Sequence, residues 1–80
     1  MNRSIESINA KVSAIMNLEK AITCDRRYEG WSLEYFPEYG QLYEETVVIT
    51  CKNGYQYYVN VDADSIAAMI ADVCKELIRH

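Results

Sequence analysis

The sequence predicts an α+β fold, an α-β-β-β-α two-layer sandwich in which a three-stranded antiparallel meander carries both helices on one face. Two observations predict it: residues 46–61 have the pattern of a β-hairpin, and an amphipathic segment lies on each side of the strands. An antiparallel sheet can bury one face under two such helices while its other face stays in water. The 80 residues are expected to form a single domain, residues 1–80.

Residues 4–24 are predicted to form the first helix, because apolar residues recur there at steps of three and four. Asn2 or Ser4 is expected to cap its start. Glu19 interrupts the heptad-like spacing, which favours a helix that faces a core over a coiled coil.

Three strands are predicted next. The first covers residues 31–36, where bulky apolar residues occupy alternate positions. Residues 37–40 are expected to form a turn, since Pro37 cannot pair in a strand interior. The second strand is predicted over residues 42–51 and the third over residues 55–61.

The loop between the last two strands is predicted to be Lys52-Asn53-Gly54. A two-residue loop would scatter apolar side chains over both faces of the hairpin, and a slip of one residue flips every side chain. Burial therefore favours the three-residue loop, with a type I turn and Gly54 in the left-handed region. That register pairs Cys51 with Tyr55, Ile49 with Tyr57 and Val47 with Val59.

The second helix is predicted to begin after Val61, with Asp62 or Asp64 as its N-cap. Its apolar residues fall on one side at 100° per residue, so one face covers the sheet. The covered face is expected to hold Trp31, Leu33, Tyr35, Val47, Ile49, Tyr57 and Val59. The open face is expected to hold Glu34, Phe36, Val48, Thr50, Tyr58 and Asn60.

Half of the residues are apolar and a quarter are charged, which is typical of a globular chain. Charged residues lie among the apolar positions of the first segment, so no signal peptide is expected. No apolar run approaches the roughly 18 residues that span a bilayer. A cytoplasmic protein without membrane association is therefore expected.

The three cysteines, Cys24, Cys51 and Cys74, are odd in number and widely spaced, and the single histidine is His80. This pattern indicates neither a zinc site nor a disulfide framework. The cysteines are expected to be small buried residues in a reducing cytoplasm. No metal and no cofactor are expected.

The net charge of −4 is concentrated in one segment, because residues 28–51 contain five glutamates and neither lysine nor arginine. Tyrosines interleave with these glutamates, and packing explains Tyr39, Tyr43 and Tyr58 poorly, since the pattern places them on the turn or the open face. Aromatic residues rimmed by like charges are typical of interfaces. The predicted contact residues are Glu34, Glu38, Tyr39, Tyr43, Glu44 and Tyr58.

Enzymatic chemistry is not expected. The chain has no internal histidine, no glycine-rich phosphate loop and no hydrolase or metalloprotease motif. Glu44 and Glu45 are neighbours on a predicted strand and should point to opposite faces, which is typical of a charged strand end.

The order α-β-β-β-α resembles that of the double-stranded-RNA-binding domain. That family places lysines at the start of its last helix to hold phosphates. Here residues 62–68 contain no basic residue, and the first one after them is Lys75. Because phosphate contacts dominate affinity for nucleic acids, direct binding is disfavoured. Lys20, Arg26 and Arg27 remain as a small basic spot.

In size, acidity and lack of catalytic groups the chain resembles the small accessory and inhibitor proteins of bacteriophages and mobile elements, including anti-CRISPR proteins. Residues 57–65, a strand that runs into a capped helix, are similar to such proteins. The resemblance implies a non-enzymatic inhibitor or accessory factor that binds a protein partner with a basic surface. Two alternatives stay open: a homodimer that pairs its open faces through Phe36, Val48 and Tyr58, and nucleic-acid binding through Arg26 and Arg27.

Overall fold

The computed structural model describes residues 5–80. Its elements are α1 (Ile5–Ile22), a 3₁₀ turn (Arg26–Tyr28), β1 (Ser32–Tyr39), β2 (Glu44–Thr50), β3 (Gln56–Asn60) and α2 (Ile66–Arg79). The strands form one antiparallel sheet in the order β1-β2-β3. The predicted α+β fold with its α-β-β-β-α order is confirmed. The expected caps of the first helix, Asn2 and Ser4, lie outside the described residues.

The hairpin between β2 and β3 has the predicted register. Gly54 donates its N–H to the carbonyl of Cys51 at 2.8 Å, and Cys51 donates its own to the carbonyl of Tyr55 at 2.8 Å. Gly54 has a φ of +90°, in the left-handed region. These observations confirm the three-residue loop with a left-handed glycine, the register that puts Val47, Ile49, Tyr57 and Val59 on one face. The register pairs Val47 with Val59 and Ile49 with Tyr57.

Both helices pack on the same face of the sheet, here called the inner face. Ile15 of α1 joins three buried residues of α2 in one cluster with the strands. Each such side chain contributes about 1.5–3 kcal/mol when buried. Trp31 and Tyr57, predicted for this face, are half-buried against the cluster. The buried sheet and α2 residues of the cluster are Leu33, Tyr35, Val47, Ile49, Val59, Met69, Val73 and Leu77.

Strand β1 is longer than predicted, and the predicted turn at residues 37–40 is wrong. Pro37 lies inside β1, where the register with β2 shifts between Phe36 and Tyr39. Because β1 is an edge strand, the missing N–H of a proline at an irregular position removes no required ladder bond. The chain reverses at residues 40–43, and Tyr43 has a φ of +53° there.

The expected aspartate caps of α2 are also wrong. Ser65 is the N-cap, and its Oγ accepts a hydrogen bond from the Ala68 N–H at 3.1 Å. Asp62 turns toward the sheet instead, where its Oδ1 accepts from the Glu45 N–H at 3.2 Å. The reversal before the helix, with Ala63 at a φ of +62°, places Ser65 at the helix start.

Glu19, which interrupts the apolar stripe of α1, has a structural role. Its Oε1 accepts a hydrogen bond from the Leu33 N–H at 2.9 Å. Leu33 lies on β1, and within residues 5–80 the second edge of β1 has no neighbouring strand. A side chain from α1 thus satisfies a backbone donor on that edge, which also limits pairing with another chain there.

Candidate functional site

The face of the sheet opposite the helices, here called the outer face, is built from two cross-strand rows. Glu34, Val48 and Tyr58 form one row, and Phe36, Thr46 and Asn60 form the next. Val48 was expected to be exposed, but it is 6% exposed because both neighbouring strands flank β2. The exposed side chains of the outer face therefore lie on the two edge strands, β1 and β3.

Three aromatic residues, Phe36, Tyr39 and Tyr58, form a continuous group on this face, here called the aromatic cluster. The ring centroid of Tyr39 lies 5.2 Å from that of Phe36 and 5.6 Å from that of Tyr58. These separations fall in the range of favourable aromatic pairs. Tyr39 is 38% exposed and Tyr58 is 53% exposed, so the cluster is accessible to a partner.

The irregularity in β1 creates this cluster. Residues three apart in a regular strand point to opposite faces, which would separate Phe36 from Tyr39. The register shift between them re-aims Tyr39, which then pairs with Glu44 and contacts both other rings. The cluster thus results from the irregular strand pairing around Pro37. A prediction that assumes strict alternation of side chains along β1 does not find it.

The phenols of the cluster are held in place by hydrogen bonds. The Tyr58 hydroxyl donates to Oε1 of Gln56 at 2.9 Å, and Gln56 donates to Oγ1 of Thr50 at 3.3 Å. The hydrogen bond with Tyr58, followed by desolvation, raises the pKa of Tyr39 above its ordinary value. Tyr39 therefore presents a neutral ring and hydroxyl at neutral pH.

Carboxylates surround the cluster. Glu34 and Glu38 are exposed, while Glu44 is half-buried and accepts a hydrogen bond from the side-chain amide of Asn60. The structure thus brings four predicted contact residues, Glu34, Tyr39, Glu44 and Tyr58, to the outer face. Glu38 belongs to the irregular end of β1.

The loop between β1 and β2, which follows Tyr39 and precedes Glu44, carries two further exposed side chains. Tyr43, a predicted contact residue, is 67% exposed, and its neighbour Leu42 is 77% exposed. Phe36 was predicted as a contact only in the homodimer alternative, and Leu42 was not predicted as a contact. Leu42 lies beside Tyr43 in the sequence and was assigned to a strand, which concealed its exposure.

Glu45 does not belong to the acidic surface. It is 2% exposed on the inner side of β2, opposite in direction to Glu44. Its Oε2 lies 2.6 Å from the Lys11 Nζ and accepts from the Tyr35 hydroxyl at 2.5 Å, while its Oε1 accepts from the Ala63 N–H at 3.1 Å. Burial by itself raises the pKa of Glu45, but these hydrogen bonds outweigh burial and lower the pKa to about 2. Glu45 is therefore a buried carboxylate that stabilises the fold.

The cysteines differ in exposure. Cys24 is exposed, contrary to expectation, because it lies just beyond α1 in the turn before the sheet, whereas Cys51 and Cys74 are half-buried. Within residues 5–80, no group of three or more histidine, cysteine or acidic residues is placed to hold a metal ion. In the same part of the chain, no helix is both long and apolar enough to cross a membrane.

In comparisons with protein-family models, with curated proteins and with solved structures, no match to this chain was found. The resemblances noted from the sequence therefore gain no support from a relative. The geometry of the outer face is the basis for assigning a role to this fold.

Proposed function

We propose that this protein is a non-enzymatic, cytosolic protein-binding module, an inhibitor or accessory factor of the kind that bacteriophages and mobile elements carry, with anti-CRISPR proteins as one example. Its outer face engages a protein partner that has a basic surface. The observation that supports this most is the accessible aromatic cluster of Phe36, Tyr39 and Tyr58, with carboxylates around it.

The aromatic cluster supplies the binding energy in this proposal. Tyrosines dominate protein interfaces when they lie near the centre of a contact and lose water there. Tyr39 and Tyr58 are each about half covered in the free protein, so a partner still has apolar ring surface to bury. Their hydroxyls add hydrogen bonds at the edge of the contact.

The surrounding carboxylates supply steering and selectivity. Glu34 and Glu38 are exposed, and Glu44 lies beside the ring of Tyr39. Charges at the rim of an interface speed association with an oppositely charged partner and repel partners of like charge. The interaction should therefore weaken with added salt.

The sheet beneath the cluster is anchored to the core and to α1. Val47 and Ile49 are fully buried on the inner side of β2, and Glu45 ties that strand to Lys11 of α1. A surface that is already ordered loses little conformational entropy on binding. Preorganisation suits an inhibitor, which must compete with another ligand for its target.

Affinity capture from cells of the native host tests the proposal. Wild-type protein should recover a protein partner, and the double variant Tyr39→Ala/Tyr58→Ala should lose it. Tyr55→Ala is the matched control, since Tyr55 is 63% exposed and lies outside the aromatic cluster. Equal recovery by all three proteins would contradict the proposal.

Self-association through the outer face is a second candidate, favoured by the exposed rings and by the exposed Leu42. Pairing two identical faces would also bring Glu34 and Glu44 of both copies together, which opposes it at low salt. Light scattering at low micromolar concentration, with and without added salt, shows whether burial of the apolar residues outweighs repulsion between the carboxylates. A strict monomer under both conditions would eliminate the homodimer.

Nucleic-acid binding is the least supported alternative. Arg26 and Arg27 are exposed in the 3₁₀ turn, but Asp25 and Glu29 flank them. Neighbouring carboxylates reduce the attraction of a small basic spot for phosphates. Filter binding at low salt should show no retention of RNA or DNA.

A further inference from the structure

A second accessible site lies at the hairpin end of the inner face, on the side opposite the aromatic cluster. It is a cleft of about 360 Å³. This volume is within the range of about 300–1,000 Å³ that small-molecule sites occupy. Helix α2 ends beside it, so the last residues of the inner face are only partly covered. Its lining residues are Trp31, Cys51, Lys52, Asn53, Tyr57 and His80.

Aromatic rings with fixed orientations form the walls of this cleft. The ring of Tyr57 stacks on that of His80 at 3.7 Å and 22°, and it also contacts Tyr55 at 5.1 Å. Trp31 packs against Tyr28 at 5.1 Å in an edge-to-face arrangement. Their neighbours hold Tyr57 and Trp31 in place while part of each ring remains uncovered. Such surfaces suit a flat ring.

Lys52 brings a positive charge to these rings. It is the single lysine or arginine between Tyr28 and Cys74 in the sequence, and Trp31 is the single tryptophan of the chain. Gly30 has a φ of +79°, and a methyl group at that position would lie 3.1 Å from the Lys52 Cγ. The Lys52 stem therefore lies against the Gly30 backbone, which holds it beside the cleft.

Two titratable groups of the cleft, Cys51 and Tyr57, add no negative charge that would oppose an anion. Burial raises the pKa of the Cys51 thiol, and burial together with the nearby Cys51 raises the pKa of the Tyr57 phenol. Both groups are therefore neutral at neutral pH. The carboxylate of Glu76 contributes to the raised pKa of Tyr57, and it lies 2.8 Å from His80 Nε2 and 3.6 Å from an Arg79 nitrogen.

We propose that this cleft binds a small molecule in which a flat aromatic ring carries an anionic group. The ring lies against Trp31 and Tyr57, and the anion, a phosphate or a carboxylate, is met by the Lys52 ammonium and the Asn53 amide. Rings give affinity through stacking and the ammonium selects the charged form. This site is separate from the outer face, so either proposal can fail without the other.

An NMR titration of the full chain tests the proposal, because the single Trp31 indole N–H gives one resolved signal at the cleft. Adenosine monophosphate is the probe in one arm and benzoate in the other, which distinguishes a phosphate from a carboxylate. At least one probe should shift the Trp31 indole signal and the Lys52 and Asn53 amides to saturation. Adenosine, which has the ring without the anion, and inorganic phosphate, which has the anion without the ring, should both bind more weakly than adenosine monophosphate.

The variant Lys52→Gln isolates the charge, since glutamine keeps the Cβ and Cγ that lie over Gly30. Binding of the successful probe should weaken by about two- to five-fold, as expected for one exposed charge contact. Lys75→Gln, at an exposed position of α2 outside the cleft, is the matched control and should leave binding unchanged. Absence of any Trp31 shift with both probes, or equal binding by wild type and Lys52→Gln, would overturn the proposal.

Discussion

Lys11 of α1 and Glu45 of β2 form a buried ion pair, with 2.6 Å between Nζ and Oε2. Their side chains are 7% and 3% exposed. Thirty-four residues separate them in the sequence, so the pair joins the first helix to the central strand. The Tyr35 hydroxyl and the Ala63 N–H also donate hydrogen bonds to this carboxylate. A buried charge satisfied in this way fixes how the helix sits on the sheet.

Removing one partner of this pair should destabilise the protein strongly. Glu45→Gln leaves the Lys11 ammonium buried without its counter-charge, and we expect a loss of about 3–5 kcal/mol in the free energy of unfolding. Urea unfolding followed by circular dichroism measures it. Glu34→Gln, at an exposed position of the neighbouring strand, should change stability by less than about 0.5 kcal/mol. Equal effects of the two variants would contradict the structural role of Glu45.

The same pair predicts acid sensitivity. The pKa of Glu45 is about 2 in the folded state against an ordinary value of 4.5, so the stabilisation is fully present above the ordinary value. It is lost as the pH falls from about 5 toward 2, and amounts to at most about 3 kcal/mol. Urea midpoints measured across this range should fall in wild type. In the double variant Lys11→Met/Glu45→Leu the fall should be clearly smaller; an identical fall would contradict this origin.

The pKa of Asp64 is raised in the folded protein, whereas that of Glu45 is lowered. A hydrogen bond with Asp72 and then desolvation raise the pKa of Asp64, and its buried Oδ2 has no hydrogen-bond partner within residues 5–80. Asp72→Asn provides an amide donor and removes one negative charge. We expect it to stabilise the protein by about 1 kcal/mol at pH 7, with the gain shrinking as the pH falls and Asp64 becomes protonated. A gain that does not depend on pH would contradict this explanation.

Gly54 should be required for its backbone conformation alone. It has a φ of +90°, and a side chain there would meet nothing within 4 Å. Gly54→Ala should therefore cost about 1–2 kcal/mol through the left-handed conformation. Lys52→Ala in the same turn should change stability by less than about 0.5 kcal/mol. Thermal or urea unfolding that shows no loss for Gly54→Ala would contradict the assigned turn.

The charge of the outer face should control association with the captured partner. Reversal of Glu38 and Glu44 to lysine should weaken binding and reduce its dependence on salt, because both changes remove steering charge. Glu29→Lys, which reverses an exposed charge away from the outer face, is the control. Surface plasmon resonance at several salt concentrations measures both effects. Unchanged salt dependence in the double reversal would remove the electrostatic part of the proposal.

The hairpin could be predicted from sequence because its register is decided locally. The positions of Val47, Ile49, Tyr57 and Val59 allow one alignment that places them all on the inner face, and Gly54 supplies the matching turn. The information that determines the register therefore lies within sixteen consecutive residues, 46–61.

Contacts between distant residues were harder to predict. The stripe of α1 already places Lys11 between Ile8 and Ile15, which marks it as inward-facing, but its partner Glu45 looked like part of an acidic surface. Pairing of charges across the fold leaves no periodic signal in either segment. Tertiary packing, not local pattern, decided the role of both residues.

The candidate site was predicted in part. Tyr39 and Tyr58 were identified because packing did not need them, and the structure places both on the outer face. Phe36 joins them through an irregularity at Pro37, whose extent depends on the pairing of β1 with β2. A rule based on strict alternation cannot anticipate that change of direction.

The most direct test of the outer face is calorimetric titration of the captured partner into wild type, Tyr39→Ala/Tyr58→Ala and Tyr55→Ala. Two central tyrosines are expected to contribute about 2 kcal/mol together, so the double variant should bind at least about thirty-fold more weakly. Tyr55→Ala should match wild type. A double variant that binds as tightly as wild type, while Tyr55→Ala loses affinity, would contradict the assignment of the docking surface.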